Sequence, residues 1–165
     1  MKILAIDPGY ERLGIAIIEK IHTAKNSKEV LLYSDCFKTS AKLPFVARLR
    51  EIGTEIERLI KEFEPKGLAI ETLFLSNNQK TAMRVSEVRG AIIYIAAAYG
   101  LKVYEYNPLN IKVATTGYGK STKNQIISMI PKLIKINKKI AHDDEYDAIA
   151  VGITCFATDG RSFHM

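Results

Sequence analysis

Residues 2–19, KILAIDPGYERLGIAIIE, carry more information about the fold than any other stretch of this sequence. An apolar run ends at Asp7, the turn residues Pro8 and Gly9 follow, and a second apolar run begins at Leu13. Short apolar runs bounded by turn residues are typical of β-strands. We therefore predict two antiparallel strands, over residues 2–7 and 13–19, joined as a hairpin that carries a carboxylate at the end of its first strand.

The remainder of the chain predicts three more strands and five helices. The strands are expected at Glu29–Lys38, Gly67–Glu71 and Lys102–Tyr106. The helices are expected at Leu43–Phe63, at Gln79–Tyr99, from Pro108, from an N-cap at Ser121 to about Leu133, and from Asp143 or Asp144 to about Thr158. Three antiparallel strands followed by alternating helices and strands predict an α/β fold, with a mixed five-stranded sheet flanked by helices.

Length and composition favour one compact domain over residues 1–165. The 165 residues are 47% apolar, which is enough for a sizeable core without disulfide bonds, and Cys36 and Cys155 are expected to be buried free thiols. No apolar run reaches the roughly 18 residues of a membrane span. The N-terminal apolar run is short and contains Asp7, unlike a signal peptide. These features predict a cytoplasmic protein with no membrane contact.

The net charge of +6 is unevenly distributed. Residues 102–141 carry eight basic and one acidic residue, whereas residues 142–165 carry one basic and five acidic residues. A basic stretch of this kind makes a polyanionic partner worth testing. Within it, Lys112, Lys120 and Lys123 flank a glycine-rich loop and suit a surface that follows DNA phosphates. The lysines between 132 and 139 could belong to a similar phosphate-binding surface, but a solvated helix end and loop would explain them equally well.

Four carboxylates are candidates for catalysis. Asp7 and Glu71 each end an apolar strand, and Asp144 and Asp147 share one face of the last helix at i, i+3 spacing. Each also has a simpler interpretation, as a helix cap or as the ordinary acidic decoration of a helix start. If the four converge, they would repel one another unless a hard cation such as Mg²⁺ or Mn²⁺ neutralised them. Two such ions together hydrolyse phosphodiesters.

Two phosphate-binding motifs have to be considered. Gly119-Lys120-Ser121 ends like a P-loop, but position 114 is alanine where that motif needs glycine, so we reject it. Asp7-Pro8-Gly9 followed by Gly14 is similar to the phosphate turn of actin-like ATPases. At the level of single motifs, a nucleotide-binding function therefore stays open.

Several segments in combination resemble one family over residues 2–158. They are Ile6–Gly14, Ala69–Phe74 with Asn78, Ser86–Gly90, Tyr104–Pro108 with Ile111-Lys112, Thr116–Gly119 with Lys123, and Asp144–Ala150. The first of them resembles the opening of ribonuclease-H-like folds, which RuvC-type Holliday junction resolvases share with YqgF-like nucleases of ribosomal RNA maturation. The later segments resemble the RuvC-type resolvases.

This resemblance implies a dimeric endodeoxyribonuclease that resolves four-way junctions in recombination and repair. Asp7, Glu71, Asp144 and Asp147 match the family's metal-binding tetrad, which would hold two Mg²⁺ ions. Phe74 matches an aromatic residue at the junction centre, and Lys112 and Lys123 match basic residues of the DNA groove. The helix near 79–99 would carry much of the dimer interface, and a branch-migration helicase complex of the RuvA and RuvB type would be the partner.

The chain departs from the family pattern at two places. Asn77 stands where several relatives have a basic residue, and Asp143 adds a fifth acid, so that the assignment of Asp144 rests on its spacing from Asp147. Two alternatives stay open at this stage: a YqgF-like RNA nuclease, against which the segment from Glu71 to Phe74 argues, and a non-catalytic DNA- or nucleotide-binding module, against which the intact set of four acids argues.

Overall fold

The structure, a computed structural model, describes residues 1–22, 27–73 and 79–158. Within these residues it contains five strands and five helices, in the predicted order. The strands are β1 (Lys2–Asp7), β2 (Arg12–His22), β3 (Ser27–Lys38), β4 (Gly67–Glu71) and β5 (Lys102–Tyr106). The helices are α1 (Phe45–Phe63), α2 (Gln79–Ala98), α3 (Pro108–Thr116), α4 (Lys123–Leu133) and α5 (Asp143–Thr158).

The strands form one mixed sheet in the order β3-β2-β1-β4-β5. β1, β2 and β3 pair antiparallel, whereas β4 pairs parallel with both β1 and β5. The predicted α/β class, with a mixed five-stranded sheet, is confirmed. The register pairs Asp7 with Gly14 and Ile6 with Ile70. Asp7 and Glu71 are therefore the last residues of two neighbouring strands and lie at the same end of the sheet.

Two apolar cores cover the two faces of the sheet. Because side chains alternate along a strand, Leu4 and Ile6 of β1 join the core beneath α1 and α2, whereas Ile3 and Ala5 join the core beneath α3, α4 and α5. α5 lies across β2 and β1 and is buried along most of its length. Cys36 and Cys155 are buried and form no disulfide bond, as expected.

Several boundaries differ from the sequence prediction. α1 begins at Phe45 because Pro44, in an extended conformation, occupies the N-cap. The N-cap of α4 is Thr122 and not Ser121: the Thr122 hydroxyl accepts from the Gln125 backbone, and the Gln125 side chain accepts from the Thr122 backbone. This reciprocal capping box satisfies two backbone donors, which makes it the stronger helix start. Ser121 instead donates to the carbonyl of Tyr118.

The predicted DNA-contacting Phe74, with Asn77 and Asn78, lies outside the described residues. Among the helices that are described, none combines the length and the apolar character that crossing a membrane requires.

Candidate active site and DNA-binding surface

Three of the four candidate acids line one cavity of about 240 Å³, at the end of the sheet where β1 and β4 terminate. Asp7 reaches it from β1, Glu71 from β4 and Asp147 from α5, and the side chains of Asp7 and Glu71 are close enough to hydrogen-bond. Lys112 and Lys123 line the same cavity, from α3 and α4. Two strand ends and one helix therefore bring together carboxylates that are 64 and 76 residues apart in sequence.

Glycines allow α5 to lie close enough to place its acids there. A Cβ atom at Gly14 would lie 2.1 Å from the backbone oxygen of Asp144, which is far below any contact distance. Further along the helix, a Cβ atom at Gly152 would lie 2.6 Å from Cδ1 of Ile18. Since Gly14 pairs with Asp7 in the sheet, its missing side chain lets the first turn of α5 approach the strand that carries Asp7.

Asp144, the fourth predicted acid, lies at the edge of this cluster. Its carboxylate accepts a hydrogen bond from the Cys36 thiol at 3.6 Å and lies 4.0 Å from the Arg12 guanidinium. It is nevertheless near enough to Asp7 to raise the pKa of that carboxyl group. Asp144 therefore belongs to the same electrostatic cluster, although its side chain does not line the cavity.

The three acids that line the cavity all have pKa values above their ordinary range. Burial, followed by repulsion from Glu71, Asp147 and Asp144, raises the pKa of Asp7 well above its ordinary value. Burial and repulsion from Asp147 raise the pKa of Glu71, and burial raises the pKa of Asp147 although Lys123 opposes the shift. In each case the environment disfavours the charged form, which is the situation that a bound cation would relieve.

Lys123 is turned toward the acids. Its ammonium nitrogen lies 2.6 Å from the Asp143 carboxylate and 2.8 Å from the Asp147 carboxylate. Burial alone would lower the pKa of Lys123, but these hydrogen bonds reverse the effect and raise it, while the bond to Asp143 lowers the pKa of that acid. The predicted DNA-binding lysine therefore also supplies a positive charge inside the acidic cluster.

The other predicted DNA contacts differ in their placement. Lys112 is half-buried and lines the cavity, and Lys120 is exposed after the turn at Gly117, where φ is +75°. Of these two lysines, only Lys112 lines the cavity.

Comparison with known proteins identifies the family. The family model described as "Crossover junction endodeoxyribonuclease RuvC" matches residues 3–155. The chain belongs to this family. A RuvC protein of Alkaliphilus metalliredigens is 40% identical over 161 residues, which are 98% of this chain and 95% of that protein. A RuvC protein of Thermosipho melanesiensis is 39% identical, over 98% of this chain and 99% of that protein.

Solved structures agree with the RuvC assignment. The Thermus thermophilus RuvC structure has a TM-score of 0.87 at 25% identity, and the match covers 98% of this chain and 97% of that chain. The structure of T. thermophilus RuvC in complex with Holliday junction substrate has a TM-score of 0.86 at 26% identity, with 99% and 96% covered. The yeast mitochondrial Holliday junction resolvase Ydc2, at 13% identity and a TM-score of 0.68, shares the fold. The predicted ribonuclease-H-like architecture is confirmed.

The donor set of this RuvC-family site fits a hard divalent cation. In the described part of the chain, no three aspartate, glutamate, histidine or cysteine side chains stand close enough to hold an ion as they are arranged. The Lys123 ammonium instead pairs with Asp147 and Asp143. A cluster of carboxylate oxygens that raise one another's pKa, and that already holds one cationic side chain, has the chemistry that Mg²⁺ and Mn²⁺ prefer.

Glu145 of α5 forms a second ionic contact, outside the cavity. Glu145 is 5% exposed, accepts a hydrogen bond from the Ser34 hydroxyl at 2.9 Å, and pairs with Lys138 at 2.6 Å. Lys138 also donates to the Ser34 carbonyl. Four acids at the start of a buried helix make neutralisation by nearby lysines an expectation, but the sequence could not single out Lys138 or Ser34, because the contacts join residues 104 and 111 positions apart.

Proposed function

We propose that this protein resolves four-way DNA junctions by nicking two strands symmetrically, in homologous recombination and repair. The observation that carries the proposal is the cavity in which Asp7, Glu71 and Asp147 meet Lys112 and Lys123. Carboxylates there can hold cations while the lysines hold phosphate, which is what cutting a phosphodiester bond requires. The two cores on opposite faces of one sheet support a single domain, over residues 1–165.

The proposed reaction depends on Mg²⁺, two ions per site, with Mn²⁺ as a substitute. Asp7, Glu71, Asp144 and Asp147 would hold the ions, which when bound activate a water molecule and stabilise the leaving oxygen. Burial at the strand ends keeps Asp7 and Glu71 fixed and partly desolvated, so that their charges act strongly on whatever occupies the cavity. Lys123 balances the acids until cations and DNA arrive, and its ammonium group is then placed to contact a phosphate.

The proposed DNA surface continues from the cavity. Lys112, Lys120 and Lys123 would contact backbone phosphates, which give affinity without sequence preference. Phe74 follows the strand that ends at Glu71, only three residues after it. An aromatic side chain at that place in the sequence would stack on bases at the junction centre and hold them open.

We further propose that the protein acts as a homodimer, with α2 contributing much of the interface. Two described side chains of α2 support this: Met83 is 66% exposed and Tyr94 is 75% exposed, which is unusual for large apolar groups. A twofold dimer would present two active sites to opposite strands. A branch-migration helicase complex of the RuvA and RuvB type is the expected partner on the junction.

The decisive experiment compares a synthetic mobile four-way junction with a linear duplex of the same sequence. We expect paired nicks in the junction with Mg²⁺, little cutting of the duplex, and none of either in chelator. Equal cutting of both substrates would contradict junction selectivity, and cutting in chelator would contradict the metal requirement. A structured RNA of similar size is the third substrate, since preferential cleavage of RNA would favour a YqgF-like activity instead.

A further inference from the structure

A second pair of cationic side chains lies beside the acids. Arg12 begins β2 and Lys38 ends β3, and the antiparallel register places the two residues directly opposite each other. Directly opposed residues of an antiparallel pair project on the same face of the sheet. The Arg12 side chain is 56% exposed and Lys38 is exposed, so both remain accessible at the end of the sheet that carries the active site.

This pair is only partly neutralised by the residues that contact it. The Arg12 guanidinium has the Asp144 carboxylate at 4.0 Å, the outer limit of an ion pair, and Lys38 has its ammonium 2.7 Å from Nε2 of His142. Two like charges directly opposite in a sheet are unfavourable by themselves, so an anion bound between them would stabilise the arrangement.

Arg12 and Lys38 belong to different elements of the fold from the two lysines that line the cavity. Lys112 and Lys123 reach the acids from α3, which directly follows the edge strand β5, and from α4. Arg12 and Lys38 come from β2 and β3, which lie on the other side of β1 from β4 and β5. The acids of the site therefore lie between two cationic groups that have separate structural origins.

We infer that Arg12 and Lys38 form a second phosphate-binding site, which takes a backbone phosphate of the DNA strand that passes through the acidic cavity, on the side away from Lys112 and Lys123. The inference rests on the proposed function and deepens it. The guanidinium offers two parallel donors to phosphate oxygens, and the lysine adds a point charge. The Asp144 carboxylate, 4.0 Å away, is too far to form a hydrogen bond with the guanidinium, which leaves the guanidinium donors for the strand.

Binding of a labelled junction in chelator tests this inference without relying on catalysis. The variants are Arg12→Gln, Lys38→Gln and their combination. The matched control is Lys28→Gln, which removes the same charge from β3 ten residues away from Lys38, at the opposite end of the strand. Each phosphate contact that a variant removes should lower the slope of log affinity against log salt by about 0.7–0.9, and affinity at 0.1 M salt by roughly fivefold to tenfold.

A neutral phosphate locates the contact on the DNA. Junctions that carry a single methylphosphonate at successive positions around the cut site would be bound by the wild type and by the double variant. We expect one position at which the neutral group weakens binding by the wild type but not by the double variant, because both changes remove the same contact. Thermal unfolding of each variant checks that the fold is retained.

The outcomes separate this inference from the proposed function. If the wild type cuts junctions while the double variant binds with unchanged affinity and salt slope, the phosphate site is wrong and the function stands. If the wild type binds DNA through Arg12 and Lys38 but cuts no junction in Mg²⁺, the function is wrong and the phosphate site stands. Equal losses in Lys28→Gln and in the Arg12 and Lys38 variants would overturn the site, because they would show an effect of net charge alone.

Discussion

The Asp7 side chain is unfavourable for the stability of the fold, and we propose that it is essential for cleavage. It ends a fully buried strand run, Ile3 to Ile6, and it faces Glu71 and Asp147 in the cavity. Its pKa is raised, first by burial and then by those neighbours and by Asp144. A carboxyl group with a raised pKa in the folded state favours folding most below its unfolded pKa, near 3.8, and loses that contribution as pH rises through the folded value.

Asp7→Asn should therefore abolish cleavage and raise thermal stability. In chelator at pH 7, the variant avoids the cost of burying an acid whose pKa is raised in the folded state, and its melting temperature should increase; 1 kcal/mol corresponds to roughly 2–4 °C for a domain of this size. Near pH 3 the wild-type carboxyl group is protonated, so the gain should vanish. Calorimetry at both pH values, with junction cleavage in Mg²⁺, measures both effects. Retained cutting would contradict the proposed role of Asp7.

Asp143→Asn is the matched control for this charge change. Asp143 is an exposed acid in the first turn of α5, and its pKa is lowered, chiefly by the hydrogen bond from Lys123. A lowered pKa contributes stability above the unfolded value and loses it as pH falls, which is the opposite sign. We expect a small decrease in melting temperature at pH 7 and largely retained cleavage. A loss of cleavage as deep as that of Asp7→Asn would make Asp143, and not Asp144, the fourth metal-binding acid.

Among the helices and strands, the contact between α5 and β2 sets the geometry of the site. Gly14→Ala would bring a Cβ atom to 2.1 Å from the Asp144 backbone oxygen, so the helix must move away from the sheet. We expect about 1–3 kcal/mol of destabilisation from overpacking. We also expect roughly a 100-fold loss of cleavage, because a shift near 1 Å misplaces Asp147 relative to Asp7.

Denaturant unfolding and single-turnover cleavage measure the two losses. Gly53→Ala is the comparison, since its Cβ would meet only the flexible end of Ile95, at 3.3 Å, in the core on the other face of the sheet. That variant should retain cleavage. If Gly14→Ala cut junctions at the wild-type rate, α5 would not need its close approach to β2.

A second prediction about the elements concerns the segment between α4 and α5. Lys138→Met removes the cationic partner of the buried Glu145 carboxylate, and should destabilise the fold by about 1–3 kcal/mol. Lys139→Met removes the same charge one residue away, from an exposed position, and should leave stability unchanged. Urea unfolding of both variants decides the matter. Equal stabilities would show that Lys138 is a surface charge and not a partner of Glu145.

At the scale of the whole molecule, the fold brings the basic and the acidic stretches of the sequence into direct contact. The basic stretch 102–141 and the acidic residues 143–147 are adjacent in sequence, and the structure joins them through Lys123 at the cavity and Lys138 at Glu145. Part of the positive excess therefore neutralises acids within the protein. Lys112, which lines the cavity, and the exposed Lys120 form no such pair with these acids and stay available for the proposed DNA contacts.

The proposed dimer depends on the exposed face of α2. Tyr94→Glu places a charge on the exposed face of α2 and should convert the protein to a monomer, with a loss of paired nicking and little change in the fold. Leu133→Glu, at the end of α4, introduces the same charge at a 42% exposed apolar position and is the control. Sedimentation velocity measures the assembly. A dimeric Tyr94→Glu, or a wild type that is monomeric at micromolar concentration, would contradict an interface on α2.

Sequence patterns were sufficient to predict the bounds of a strand wherever neighbouring residues in the sequence mark its ends. Strands β1, β4 and β5 have the predicted bounds because apolar runs and turn residues delimit them. β2 and β3 extend further than expected, to His22 and from Ser27, because pairing with a neighbour holds polar residues in a ladder that their own pattern does not predict. The N-cap at Thr122 was missed because Ser121 and Thr122 are both good caps, and only the side-chain geometry of Gln125 chooses between them.

The amino-acid sequence alone was enough to establish the element order, the position of acids at two strand ends and one helix start, and the resemblance to RuvC-type resolvases. The three-dimensional arrangement was needed to show that Asp7, Glu71 and Asp147 share the cavity while Asp144 turns toward Arg12 and Cys36. It was also needed to show that Lys123 points inward and that Arg12 lies opposite Lys38. Strand register and the close packing of α5 on glycines set distances between residues far apart in sequence, and no local pattern encodes those distances.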